Sequence, residues 1–205
     1  MELQIILTTI LIWTIAVIVP GPNFFITIQS AISKNDHSVF FVVLGIVIGT
    51  FIWAVLSLYG LAFLLKNAPN LYMAFKIIGG IYLIYLGIKL ILNKEDIKEI
   101  ELAKEEINSY TKSFFVGVFT NLSNPKTAMF ITSLFATITT TETTNIQMVF
   151  LVFLILLIST IWYSLVALIF KKEYLKKLYI RFKKAIEYIS GTIFIGFGTK
   201  SIFSE

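Results

Sequence analysis

Two long apolar runs of this chain are each interrupted by proline, and those interruptions limit the fold more than any other feature. The first is VPGPNFF, Val19–Phe25, and the second is SNPK, Ser123–Lys126. Uncharged apolar runs of about 20 residues span a bilayer as helices. Lipid offers no partner to a freed backbone group, so a break survives only against protein or a water-filled cavity. Composition points to the same setting. Of the 205 residues, 57% are hydrophobic, and the mean hydropathy is +0.86. A soluble domain of this length has too much surface to hide that much apolar side chain. Spanning β-strands would alternate in polarity, and no such alternation is present. The chain therefore reads as an all-α polytopic membrane protein.

Six spans are predicted, at roughly 4–32, 38–65, 71–92, 113–136, 146–170 and 186–203. The first is broken at Pro20, Gly21 and Pro22, and the fourth at Asn124 and Pro125. Residues 1–205 form one transmembrane domain, with a first repeat over about 1–92, a charged cytoplasmic loop over 93–112 and a second repeat over about 113–205. The opening MELQIIL lacks a basic region and reads as a first span rather than a cleaved signal peptide. The segment Asn93–Tyr110 carries charges of both signs, with Ile97, Ile100 and Ile107 near helical spacing. It reads either as a short amphipathic surface helix or as a solvated loop.

Orientation follows from the basic residues, which favour the cytoplasmic side. With the N-terminus outside, the inner loops hold Lys34, then Lys94, Lys98, Lys104 and Lys112, then the basic run within Lys171–Lys184. That places twelve of the 17 basic residues inside, so both termini are expected outside a cell (inner or plasma) membrane. The same asymmetry accounts for the net charge of +5 without any nucleic-acid partner. The chain has no cysteine and one histidine, His37. Disulfides and thiolate chemistry are excluded, and no metal or other cofactor is expected.

The two halves resemble each other. GIYLIYLGIKLI (Gly80–Ile91) aligns without gaps with GTIFIGFGTKSI (Gly191–Ile202). Gly80 then meets Gly191, Gly87 meets Gly198, Lys89 meets Lys200, and Ile84 and Ile91 meet Ile195 and Ile202. TFIW (Thr50–Trp53) has a counterpart in STIW (Ser159–Trp162), and Pro22 falls opposite Pro125. Chance similarity among Ile- and Gly-rich helices explains any one of these matches. Four features in the same order favour a true repeat. Three spans per half would make it an inverted-topology repeat, as in many secondary transporters.

At each break the residue types suit a helix restart. Gly21 and Asn124 fit the N-cap position, and Pro22 and Pro125 fit the first helical position. Two helix N-termini near mid-bilayer would favour an anionic group such as a carboxylate. Lys126 would add a full charge, at a cost of ~2.5–3.5 kcal/mol for a lysine at mid-bilayer. Pro20, Gly21, Pro22, Asn23, Asn124, Pro125 and Lys126 are therefore the candidate substrate-binding residues. The competing readings are simple proline kinks, and a Lys126 side chain that snorkels to an interface. Gly45 and Gly49 form a GxxxG pattern suited to close helix packing. Asp36 and His37 fall in a short inner loop, as a solvated turn or as part of a proton relay. Trp13, Trp53 and Trp162 read as packing or interfacial aromatics, and no acidic residue lies deep in a predicted span.

VPGPNFFITIQSAI, GIVIGTFIW, KIIGGIYLIYLGIKLI, TNLSNPKTAMF, Trp162-Tyr163 and ISGTIFIGFGTKSI together resemble the LysE/RhtB amino-acid exporter family over nearly the whole chain. The pairing of PGPN with NPK in that order carries most of the specificity. The resemblance implies a carrier that exports amino acids or close derivatives, driven by the electrochemical gradient without ATP hydrolysis. It departs from the family's usual pattern at SKNDHS after the first span and at LFATIT after NPK. The expected function is thus secondary-active amino-acid export by alternating access, with the proton as coupling ion and a homo-oligomer left open. The alternatives are an ion transporter on a similar fold, which would need oxygen-rich or acidic ligands, and a membrane enzyme, which would need a catalytic constellation. A non-transporting structural role is the last reading, and it gives the breaks no obvious use.

Overall fold

The computed structural model describes residues 3–31, 36–92, 109–138 and 143–203. Eight helices and no strands occur among the described residues. They are α1 (Leu3–Ile18), α2 (Pro22–Ala31), α3 (Asp36–Asn67), α4 (Pro69–Leu92), α5 (Tyr110–Leu122), α6 (Pro125–Ile138), α7 (Asn145–Phe170) and α8 (Glu173–Phe203). Three of the four prolines, Pro22, Pro69 and Pro125, are the first residue of a helix. Proline is at ease there because the first helical N–H has no intrahelical partner anyway. Two other starts are capped by hydroxyls. Ser109 accepts from the Lys112 N–H at the head of α5, and Thr144 and Gln147 form a reciprocal capping box on α7.

Three helices are long and apolar enough to cross a membrane on their own, over Ser38–Leu61, Asn70–Leu92 and Asn145–Phe170. The pair α1 and α2 qualifies together, bent by 59° at the break. These match four of the six predicted spans. The α5–α6 pair and α8 do not meet the same length and composition measure. Large apolar side chains such as Phe40, Phe63, Leu92, Phe153 and Leu168 lie exposed on the outside of the bundle. On a water-soluble protein so much exposed apolar surface would be a liability; against acyl chains it is the expected exterior.

Several boundaries differ from the sequence reading. The sequence places the basic run after Lys171 in a loop, yet α8 begins at Glu173 and continues unbroken to Phe203. Lysine and arginine are good helix formers, and charge alone does not end a helix. Glu187, at the very edge of the predicted sixth span, is buried and paired with Lys183 at 3.5 Å. Asp36 and His37 open α3 rather than sitting in a loop. Tyr110 and Lys112 belong to the first turn of α5. The proposed amphipathic segment around Ile97, Ile100 and Ile107 lies outside the described residues.

Glycine sets the closest helix contacts. Helices α3 and α5 run parallel, with Gly45 against Gly117 and Gly49 against Asn121. A methyl group at Gly49 would lie 2.8 Å from Asn121 Cβ. Helices α4 and α8 run antiparallel and touch through reciprocal pairs. A methyl group at Gly87 would lie 2.5 Å from the Gly191 carbonyl oxygen, and one at Gly198 the same distance from the Gly80 carbonyl oxygen. Gly80 faces Ile202 as Gly191 faces Ile91, and Gly87 faces Ile195 as Gly198 faces Ile84. Helix α1 packs on α7, α2 on α3 and α7, and α6 on α3 and α4. The main core runs through α1, α3, α4, α6, α7 and α8, where Phe130 and Phe194 stack obliquely at 4.5 Å.

Candidate functional site: two helix breaks joined by a lysine

The first break spans Val19–Gly21. The Val19 N–H still donates to the Ile15 carbonyl, and the Phe25 N–H donates to the Gly21 carbonyl, which starts α2. Gly21 is thus the N-cap and Pro22 the first helical residue. Pro20 and Pro22 lack N–H groups, so the carbonyls of Ala16 and Ile18 lose their usual donors. Gly21 has no side chain to cap the first turn of α2.

At the second break, Asn124 is the N-cap of α6. Its Oδ1 accepts the Lys126 N–H at 3.0 Å, and its carbonyl accepts the Ala128 N–H at 3.2 Å. The Asn121 carbonyl, deprived of a donor by Pro125, takes the Asn124 N–H at 3.1 Å instead.

Two side-chain bonds join the breaks. Lys126 Nζ donates to the Val19 carbonyl at 2.6 Å, and Asn23 Nδ2 donates to Thr127 Oγ1 at 3.3 Å. The lysine lies along the unwound segment because Gly21 leaves room; a methyl group there would come within 3.2 Å of Nζ. The chain turns inward to the first break, so Lys126 does not snorkel to an interface.

Beside this junction is a cavity of about 10 Å³, about the space one water needs. Its wall is built from Trp13, Ala16 and Val17 of α1, Asn23 of α2, Thr50 of α3, Lys126, Thr127 and Phe130 of α6, and Tyr163 of α7. Asn23 is 3% exposed, and its Oδ1 has no hydrogen-bond partner. Three further bonds brace the wall. Trp13 Nε1 donates to Ser159 Oγ at 3.0 Å and to the Ile155 carbonyl at 3.1 Å, and Asn121 Nδ2 donates to Thr50 Oγ1 at 3.0 Å.

Of the seven candidate residues, the structure brings Asn23 and Lys126 onto the cavity wall and sets Gly21 against the lysine. Asn124 shapes the start of α6. Pro20, Pro22 and Pro125 set the breaks without lining the cavity. Sequence reasoning missed Trp13, Thr50, Thr127 and Tyr163. The recurrence of Thr50 and Ser159 in matched motifs was the available signal for the hydroxyl pair. Nothing local marked Trp13, whose partner lies in α7. No cluster of three or more His, Cys, Asp or Glu side chains suited to a metal occurs among the described residues.

Apolar helices, with two interrupted helices joined by one half-buried lysine, define a multi-pass membrane protein. Comparison with known proteins names its kind: the chain belongs to the LysE type translocator family, which matches residues 14–205. It is a translocator and not an enzyme. It is 30% identical to a threonine efflux protein of Escherichia coli (strain K12) over 99% of this chain and 100% of that one. A threonine efflux protein of Salmonella typhi is 31% identical with the same coverage. An uncharacterized membrane protein of Bacillus subtilis (strain 168), YrhP, is 26% identical over 90% of this chain and 92% of its own length. No solved structure matches the chain.

Proposed function

We propose that this protein is a secondary-active exporter of small neutral amino acids, with threonine the first candidate because of the relatives' assignment. The observation that carries the reading is the Lys126–Val19 bond, which joins the two breaks beside a small cavity that Asn23, Lys126 and Thr127 help to line. The substrate carboxylate would engage Lys126 and the first turn of α2, where backbone N–H groups and the helix dipole favour an anion. No carboxylate faces Lys126 among the described residues, so a substrate anion would offset the charge. The scarcity of buried acid favours a neutral side chain over lysine or arginine.

The cavity is far smaller than an amino acid, so the walls must part for transport. We assign that movement to rocking of two inverted three-helix repeats, each exposing the site in turn to one side. The reciprocal glycine and isoleucine contacts of α4 and α8 support this reading, because exchanging the aligned residues turns the Gly80–Ile202 contact into Gly191–Ile91 and the Gly87–Ile195 contact into Gly198–Ile84. On this reading α5–α6 and α8 complete six spans, both termini lie outside the cell membrane, and the proton is the coupling ion.

The test is threonine efflux from reconstituted vesicles. Removing a charge-assisted hydrogen bond worth about 1.5–3 kcal/mol should weaken transport about tenfold to a hundredfold in Lys126→Ala. Pro22→Ala should also impair it. Unchanged efflux in both variants would show that the site is wrong.

A further inference from the structure

The bond between Lys126 and Val19 has a second meaning. Val19 directly follows the last residue of α1, so its carbonyl stands at the negative end of that helix dipole. The prolines at 20 and 22 have stripped donors from two more carbonyls at the same end, those of Ala16 and Ile18. Unwound carbonyls at the C-terminal end of a half-helix form a seat for a cation. Lys126 reaches that seat from the other half of the chain and places its ammonium on it at 2.6 Å. A second acceptor stands nearby: Asn23 Oδ1, buried and without a partner on the wall of the same cavity.

We infer that the Val19 carbonyl and Asn23 Oδ1 form an ammonium subsite, and that the α-ammonium of the substrate takes the place there that Lys126 holds. The inference rests on the proposed export function and specifies its substrate class: zwitterions with a free α-ammonium. The exchange conserves charge. As the substrate carboxylate draws Lys126 away from Val19, the substrate brings its own cation to the vacated carbonyl. Neither the carbonyl nor the lysine is left unpaired during the swap. An unpaired charge or carbonyl in this apolar setting would be costly. The Lys126–Val19 bond also joins the two breaks, so substrate binding and release of the junction become one event. An inorganic cation is not needed at the α1 end, because a covalently attached or substrate-borne ammonium fills the position at each stage.

The test uses the unaltered protein in vesicles loaded with radiolabelled L-threonine. Competitors are unlabelled L-threonine, its isosteric hydroxy acid 2,3-dihydroxybutanoate, and N-acetyl-threonine. Each is measured with external sodium and with choline in its place. Threonine should compete, and the hydroxy acid should compete about tenfold to a hundredfold less well. N-acetyl-threonine should be at least as weak, and sodium should change none of these values. Equal competition by the hydroxy acid would overturn the ammonium subsite while leaving amino-acid export standing. So would competition by the hydroxy acid that appears only with sodium, since an inorganic cation would then be filling the seat. Failure of threonine itself to move or compete would overturn the export reading, and the subsite with it.

Discussion

Replacing Gly87 with alanine should push α4 and α8 apart and destabilise the protein. The added methyl group would lie 2.5 Å from the Gly191 carbonyl oxygen, 2.7 Å from Ile195 Cγ1 and 3.1 Å from the Ile195 nitrogen. Two of these three neighbours are backbone atoms and cannot rotate away. Ordinary contact begins at 3.4 Å, so the helices must separate by about 0.9 Å along this line. Overpacking of this kind costs about 1–3 kcal/mol, partly offset by the ~1 kcal/mol that alanine gains over glycine in a helix. A net loss of up to about 2 kcal/mol should lower the unfolding temperature by several degrees for a chain of this size. The assay is thermal unfolding of purified protein in detergent. Gly198→Ala should lose a similar amount, because its methyl group would meet the Gly80 carbonyl oxygen and Ile84 in the same way. The double variant should lose less than the sum, since one separation relieves both contacts. Gly60 and Gly196 have nothing within 4 Å of an added methyl group, so alanine at either should cost nothing and gain up to ~1 kcal/mol of helix propensity. If Gly87→Ala melted with those two controls, the close crossing of α4 and α8 would be wrong.

Trp13→Phe removes the donor to Ser159 and the Ile155 carbonyl, and should cost about 0.5–1.5 kcal/mol for a lost buried hydrogen bond, read by thermal unfolding. Asn124→Ala removes the cap of α6 and should cost ~1 kcal/mol in the same measurement, whereas Asn124→Ser should keep most of it. A reporter fused after Asn93 should read as cytoplasmic; an external signal would reverse the proposed orientation. With no native cysteine in the chain, Thr127→Cys alone should react with a small thiol reagent from one side of the membrane at a time. Added threonine should slow that labelling, and indifference to substrate would place residue 127 away from the transport path.

Much of the helical plan was readable because lipid imposes it. A long apolar run has few options in a bilayer, so the helices over 38–61, 70–92 and 145–170 were legible from composition and length alone. The restarts at Pro22 and Pro125 were also readable, since proline and the residues before it act through local backbone geometry. The start of helix α8 is not legible in the sequence for the opposite reason. The basic residues there say which side of a membrane they prefer, but nothing about where a helix begins.

The sequence alone determined the broken helices, the N-caps that restart them, and the pairing of PGPN with SNPK, because each is settled within a few bonds of the backbone. The family resemblance followed from the same short motifs. Tertiary structure alone decided what the breaks face. Lys126 was open to solvent, lipid or cavity until its Nζ was found on the Val19 carbonyl, 107 residues back along the chain. Trp13 and Thr50 joined the site only because α1 meets α7 and α3 meets α5. Such contacts depend on how helices cross, and a crossing is fixed by the sum of many packed side chains rather than by any one stretch of sequence.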